Sequence, residues 1–180
     1  MTPKISLAAI LLATSVCFSG CATRPAPTTV ASVDLHKYSG KWYEVARMPN
    51  WFQRQCASGT TAEYSPLPDG KIRVVNSCLR KDGTPSRITG TATPVPGSNN
   101  AKLKVSFFGP FAGDYWVLGL DEKNYQWALV GHPSRKFLWI LSRKPTMTPT
   151  QYEALVGLAA SQGYDPKDIA FSKIAQDTGG

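Results

Sequence analysis

Beyond residue 40, the chain consists of short apolar runs rich in β-branched and aromatic residues, separated by turn signals. The clearest turn is the Pro- and Gly-containing segment 66–70. Runs of this length and spacing predict an antiparallel β-barrel or sandwich, and closing the sheet would remove its exposed edges. Eight strands are predicted, at residues 42–46, 59–64, 72–79, 87–93, 102–107, 115–120, 127–130 and 137–142.

The pattern changes near the C-terminus, where a helix is predicted. Thr148 suits the N-cap, Pro149 the first helical position and Gln151 the third, and Gly163 suits the stop. Four apolar residues recur at helical spacing on one face, namely Tyr152, Leu155, Leu158 and Ala159. This face would pack on the outside of the sheet. A short last strand is predicted at 169–172, so the fold class is all-β with one C-terminal helix.

The N-terminus has the pattern of an export signal. Lys4 precedes an apolar run at 5–16, which is too short to span a bilayer as a helix. The segment 18–21, Phe-Ser-Gly-Cys, resembles the lipobox of bacterial lipoproteins, which implies cleavage after Gly20, diacylglyceryl attachment at Cys21 and outer-membrane sorting. The alternative is ordinary cleavage a few residues later, which would leave a soluble periplasmic protein. The predicted division is a signal peptide at 1–20, a lipidated and flexible tether at 21–33, one domain at 34–174 and a tail at 175–180.

Composition and charge narrow the choice of partners. The 180 residues are 42% hydrophobic and 18% charged, which fits one globular domain. The formal net charge is +8, and many of the basic residues occur in pairs. Such pairs ordinarily lie on the solvent-exposed surface. If some of them surround an opening, they could attract an anionic headgroup or membrane surface. The export signal disfavours nucleic acid.

Two cysteines are predicted to form a disulfide. Besides Cys21, the exported chain keeps Cys56 and Cys78, which lie on either side of the hairpin at 66–70. Reflection about that turn brings them opposite or diagonal to each other, and an oxidising compartment favours the bond. Two free thiols are the alternative.

Three segments carry a resemblance to a known family. Gly40-Lys41-Trp42-Tyr43-Glu44 resembles the Gly-x-Trp motif of the lipocalins, and the segments 104–111 and 138–143 are similar to the bacterial outer-membrane lipocalins, relatives of apolipoprotein D. The resemblance covers residues 34–173. It implies an eight-stranded up-and-down barrel that holds lipids or other small apolar molecules.

The resemblance also implies structural roles for Gly40, Trp42 and Arg143. In lipocalins the tryptophan of the first strand lies across the closed end of the barrel, with an arginine from the end of the last strand stacked over it. Such a cation–π contact contributes about 0.5–2 kcal/mol. Direct ligand contact is the alternative role.

Alternation along the strands then nominates a pocket. If Arg143 points inward, so do Leu141, Trp139 and Phe137, while Leu138 and Ile140 face the helix. The candidate ligand-binding residues are Phe107, Tyr115, Val117, Trp127, Leu129, Trp139 and Leu141. A bulge would invert an assignment, and these side chains could instead fill the core.

The function expected is a carrier that binds, stores or transports a fatty acid or lysophospholipid, anchored to the periplasmic face of the outer membrane, with a homodimer as a further option. His36 and His132 have no spacing that suggests a metal site or a catalytic triad, so neither catalysis, a metal nor a cofactor is expected. The alternatives are a structural envelope lipoprotein with a filled barrel and a lipocalin-type enzyme that uses an unpaired Cys56 or Cys78.

Overall fold

The computed structural model of the protein describes residues 24–173. Its central element is one antiparallel sheet in which each strand pairs with the next, and β8 returns to pair with β1. The strands are β1 (Gly40–Arg47), β2 (Ser58–Pro66), β3 (Ile72–Leu79), β4 (Pro85–Pro94), β5 (Lys102–Phe108), β6 (Phe111–Leu120), β7 (Trp127–Gly131) and β8 (Leu138–Ser142). The sheet is therefore a closed eight-stranded up-and-down barrel, as predicted.

The C-terminal helix is also confirmed. Helix α2 (Pro149–Ser161) begins after Thr148, whose side chain accepts a hydrogen bond from the backbone N–H of Gln151. It stops before Gly163, which has a φ of +89°, a conformation that glycine adopts without steric cost. A two-residue strand, β9 (Ala170–Phe171), then extends the sheet by pairing with Ala46 and Arg47 of β1.

The apolar residues separate into two layers, one on each side of the sheet. The interior cluster is built around Trp42, Val74 and Leu103. The outer cluster includes Leu138, Ile140 and Leu155 and fills the space between the sheet and α2. This confirms that Leu138 and Ile140 face the helix.

The two ends of the barrel differ in the loops that they carry. The open end carries loops 48–57, 80–84, 109–110 and 132–137, and the closed end carries loops 67–71, 95–101 and 121–126. A short helix, α1 (Leu35–Tyr38), which the strand pattern did not predict, precedes β1 at the closed end.

The segment 24–33 differs from the flexible tether that was expected. It follows the barrel wall, because the N–H of Val30 bonds to the carbonyl of Val117 and that of Val33 to the carbonyl of Asn99. Val33 is buried in the interior cluster. The proposed signal peptide, Cys21 and the tail at 175–180 lie outside the described residues, as does residue 174 of the proposed domain. Within residues 24–173, neither helix has the length and apolar character needed to cross a bilayer.

Candidate ligand-binding site

One end of the barrel is sealed by Trp42 and Arg143. Trp42 is fully buried and donates its indole N–H to the carbonyl of Tyr38 at 2.8 Å. The guanidinium carbon of Arg143 lies 3.9 Å from the centroid of the Trp42 ring. The guanidinium also donates to three backbone carbonyls, those of Lys37, Lys41 and Tyr125. Arg143 thus ties together the segment before β1, the start of β1 and the loop 121–126.

Gly40 fits this seal for a conformational reason. Its φ is +91°, and a Cβ on it would lie 3.5 Å from Nη1 of Arg143. The space is sufficient, so the backbone conformation rather than crowding favours glycine at this position.

Above the seal lies a cavity of about 730 Å³. This volume is within the range of about 300–1,000 Å³ typical of ligand pockets. The lining extends from Tyr64 and Tyr115 at its inner end to Trp51 in the loop 48–57 and Phe108 at the open-end terminus of β5. The barrel is therefore not filled, and it has room for one small ligand.

Four of the seven candidate ligand-binding residues line this cavity: Phe107, Tyr115, Trp139 and Leu141. Phe137 lines it too, at the open end, with its ring stacked at 6.2 Å from that of Trp139. Val117 points into the interior as expected but packs in the core outside the cavity lining.

The inward assignment of Trp127 and Leu129 was wrong. Both belong to the outer cluster, where Trp127 is partly buried and Leu129 is fully buried. Leu129 lies opposite Ile140 in the β7–β8 pairing, and Trp127 lies opposite Ser142. Because paired residues of antiparallel strands share a face, Leu129 must point outward with Ile140. The residues of β7 that point inward are Ala128 and Val130.

A polar network joins the cavity wall to the loop 48–57. Oε1 of Gln53 accepts a hydrogen bond of 3.0 Å from Nε1 of Trp139, and its Nε2 donates one of 2.8 Å to Glu44. The Glu44 side chain is only 3% exposed and also accepts hydrogen bonds from Arg47 and Ser172. Such partners offset the cost of burying a carboxylate. Gln53 thus holds the Trp139 indole in place and ties the loop to the barrel.

Three tyrosine hydroxyls meet at the inner end of the cavity. The hydroxyl of Tyr115 lies 2.8 Å from that of Tyr38 and 2.9 Å from that of Tyr64. Burial raises the pKa of Tyr64 to about 12 and also raises the pKa of Tyr38 and Tyr115. All three are therefore neutral at physiological pH and can offer hydrogen bonds without a buried charge.

Asn76 supplies another polar group to the cavity lining. Among the described residues, its buried Oδ1 has no hydrogen-bond partner. An unpaired buried carbonyl costs about 1–3 kcal/mol. A ligand hydroxyl or amine could supply the missing donor.

The disulfide between Cys56 and Cys78 is present, as predicted, with a Cα–Cα distance of 5.5 Å. It joins loop 48–57 to the end of β3, and both cysteines line the cavity. Together with Gln53, it restrains this loop at two points. Neither cysteine is a free thiol, which removes the cavity cysteine that the enzyme alternative required.

Lys104, Asp114 and His132 form a charged cluster on β5, β6 and the loop 132–137. Lys104 pairs with Asp114 at 2.8 Å, and Asp114 lies 3.8 Å from Nε2 of His132. Burial lowers the pKa of His132, although Asp114 acts in the opposite direction. No group of three or more His, Cys, Asp or Glu residues within 24–173 is placed to hold a metal ion.

Several site residues were not identified from the sequence. Glu44 is two positions after Trp42 and Tyr64 lies directly opposite Gly40 in β2, so strand alternation was a usable signal for both. Gln53 and Phe52 lie in a loop without periodicity, and no sequence signal indicated them.

Comparison with known proteins places this geometry in a family. The family model described as a lipocalin-like domain matches residues 33–173. Outer membrane lipoprotein Blc from Vibrio cholerae is 39% identical over 166 residues, covering 91% of this chain and 96% of that protein. Bovine apolipoprotein D is 34% identical over 156 residues, covering 82% of this chain and 80% of that protein. Among solved structures, insecticyanin from the tobacco hornworm Manduca sexta is similar in fold, with a TM-score of 0.69, 24% identity and coverage of 84% of this chain and 86% of that one.

Proposed function

Because this chain belongs to the lipocalin family, we propose that it is a lipid carrier whose cavity holds one fatty acid or lysophospholipid. The observation that carries the proposal is the cavity of about 730 Å³, sealed by Trp42 and Arg143 at one end. The relative from Vibrio cholerae is called an outer membrane lipoprotein, which supports a location in the cell envelope. A carrier is favoured over an enzyme, because most of the cavity lining is apolar or uncharged and its two cysteines are bonded to each other.

The acyl chain is proposed to lie against Phe107, Trp139 and Leu141. Each buried methylene contributes about 0.8 kcal/mol, so a long chain could reach micromolar affinity after ordering costs. The headgroup would stay near the open end. Chain length should therefore control affinity more strongly than headgroup identity.

The domain division and the membrane anchor belong to the same proposal. Residues 1–20 would be removed, Cys21 would carry the lipid on the periplasmic face of the outer membrane, and residues 34–174 would form the carrier. Replacing Cys21 by Ser should abolish labelling by a fatty-acid analogue, and an alkaline high-salt wash should then extract the protein from the membrane fraction. If the variant is still labelled, or resists that wash as the parent does, Cys21 is not the anchor.

The direct test of ligand binding is calorimetric titration of delipidated, folded protein with fatty acids of increasing length and with lysophospholipids. Affinity should rise with chain length. Trp139→Phe should weaken binding several-fold, because it removes a cavity-lining indole. Trp127→Phe is the matched control, since Trp127 lies in the outer cluster, and it should bind like the parent.

A protein that shows no saturable binding to any acyl chain is not a lipid carrier. In that case a structural role in the envelope would be the better hypothesis. Sedimentation equilibrium of the same samples would decide whether the carrier is a monomer or a homodimer.

A further inference from the structure

Large aromatic side chains are exposed around the open end of the barrel. Trp51, Phe108 and Phe111 are 69%, 72% and 79% exposed, and Phe52 beside them is 39% exposed. They belong to two separate segments, loop 48–57 and the β5–β6 hairpin, and all four line the cavity entrance. We call these four residues the aromatic rim. Exposed apolar side chains grouped in this way mark an interaction surface.

The charges near the rim favour an anionic partner. The open-end loops carry five basic residues, Arg54, Arg80, Lys81, Arg135 and Lys136, and one acidic residue, Asp82. The closed-end loops carry two lysines and three carboxylates, and the segments 34–39 and 143–148 at the same end add Lys37, Arg143 and Lys144 against Asp34. The positive charge is therefore concentrated on the end that exposes the aromatics. Two copies meeting through this end would bring like charges together, which opposes a dimer at this surface.

The start of the described chain lies at the same end. Arg135, in the open-end loop 132–137, donates a hydrogen bond to the carbonyl of Pro25, and Arg24 donates to the carbonyl of Gly163. Cys21 precedes Arg24 by three residues, a length of chain that spans at most about 10 Å. An acyl group on Cys21 would therefore hold the open end, rather than the closed end, near the bilayer.

From these three observations we propose that the aromatic rim inserts into the interfacial layer of an anionic membrane, so that the cavity opens directly onto the lipid. Aromatic residues favour the membrane–water interface, and basic residues near it add electrostatic attraction to anionic headgroups. The ligand would then pass between bilayer and cavity without crossing water. The purpose of this docking rests on the proposed lipid-carrier function. The docking itself can be measured without any ligand in the cavity.

The test uses the mature chain, residues 21–180, carrying Cys21→Ser, because without the apolar run 5–16 and without the lipid any membrane binding must come from the protein surface. The protein is floated with vesicles of phosphatidylethanolamine and phosphatidylglycerol, and separately with phosphatidylcholine vesicles. It should float with the anionic vesicles and less with the neutral ones. Adding Trp51→Ser and Phe111→Ser should weaken binding roughly tenfold. Phe171→Ser is the matched control, since Phe171 is 67% exposed on the outer face of the barrel and stacks on Tyr152.

A second measurement does not depend on how the serine variants fold. In anionic vesicles with brominated acyl chains, part of the tryptophan emission of the Cys21→Ser protein should be quenched. Trp51→Phe, which keeps an aromatic ring in the rim, should lose the quenched component.

Other results would overturn the proposal. The proposal is wrong if the protein does not float with anionic vesicles, or if Phe171→Ser loses as much vesicle binding as the rim variant does. It is also wrong if the protein is a dimer in solution that Phe111→Ser dissociates. Vesicle binding without acyl-chain binding in solution would support the docking surface while contradicting the lipid-carrier function.

Discussion

The indole N–H of Trp139 in the barrel wall donates a hydrogen bond of 3.0 Å to Oε1 of Gln53 in the loop that follows β1. Nε2 of the same Gln53 side chain donates a hydrogen bond to the carboxylate of the buried Glu44. One side chain thus orients a cavity-lining indole and completes the partners of a buried carboxylate.

Removal of this amide should destabilise the protein and disturb the cavity. Gln53→Leu leaves the Trp139 N–H and one Glu44 oxygen without their partner, at a cost of about 1–3 kcal/mol. Urea unfolding measures the loss. Gln55→Leu, in the same loop and exposed, should change the free energy of unfolding little, and equal losses in the two variants would contradict the role given to Gln53.

Gly90 should be intolerant of even one added methyl group. A Cβ at this position would lie 2.4 Å from the carbonyl oxygen of Ser106 and 2.5 Å from the ring of Phe107. Gly90→Ala should cost about 1–3 kcal/mol through overpacking and weaken acyl-chain binding by moving Phe107. Gly113→Ala, where a Cβ meets nothing within 4 Å, should be close to neutral. Unfolding and ligand titration of both variants check this expectation.

The disulfide should contribute substantially to stability. Cys56 and Cys78 are separated by 22 residues, and closing such a loop contributes roughly 3 kcal/mol in the chain-entropy model. The free energy of unfolding of the double variant Cys56→Ser, Cys78→Ser, measured with urea, should be lower by about that amount. A reducing agent should lower the stability of the parent and leave the double variant unchanged.

Stability should decrease at alkaline pH because of the buried tyrosines. The pKa of Tyr64 is raised to about 12 in the folded state, whereas an unfolded tyrosine titrates near about 10. The folded state therefore holds the Tyr64 proton more tightly than the unfolded state does. The contribution of Tyr64 to the free energy of unfolding is complete below about pH 10 and is lost as the pH approaches about 12. Tyr64→Phe should flatten this decline. If the free energies of unfolding of the parent and of Tyr64→Phe decline equally with rising pH, the role given to Tyr64 is contradicted.

Trp42→Ala should chiefly reduce stability. Truncating a fully buried tryptophan typically costs about 3–5 kcal/mol, and Arg143 would also lose the ring on which it stacks. Thermal unfolding should show a large decrease. A variant that unfolds like the parent but binds no ligand would instead place Trp42 in the binding site.

The elements could be predicted because their signals are local. Thr148, Pro149 and Gly163 define the helix ends through backbone hydrogen bonding and φ, and these requirements act within a few residues. Strand alternation likewise placed Trp139 and Leu141 on the inner face of β8, next to an outer face covered by α2.

The same reasoning failed on β7 because both of its faces are apolar. Trp127 and Leu129 pack under the helix while Ala128 and Val130 pack in the barrel, so hydrophobicity carried no information about direction. The β7–β8 register does carry it, since Gly131 pairs with Leu138, but a six-residue loop at 132–137 leaves that register open in the sequence. Gln53 was missed for a related reason, because its partners Glu44 and Trp139 are distant in sequence and meet only once the barrel closes.

The seal at Trp42 and Arg143 has a kinetic consequence. In the part of the barrel formed by residues 24–173, the sealed end offers no second route, so an incoming molecule must wait until the occupant has left through the open end. Replacement of one ligand by another should then proceed at the dissociation rate of the first, whatever the concentration of the competitor. Residence time in the cavity, rather than the abundance of competing lipids, would set how quickly the cargo turns over.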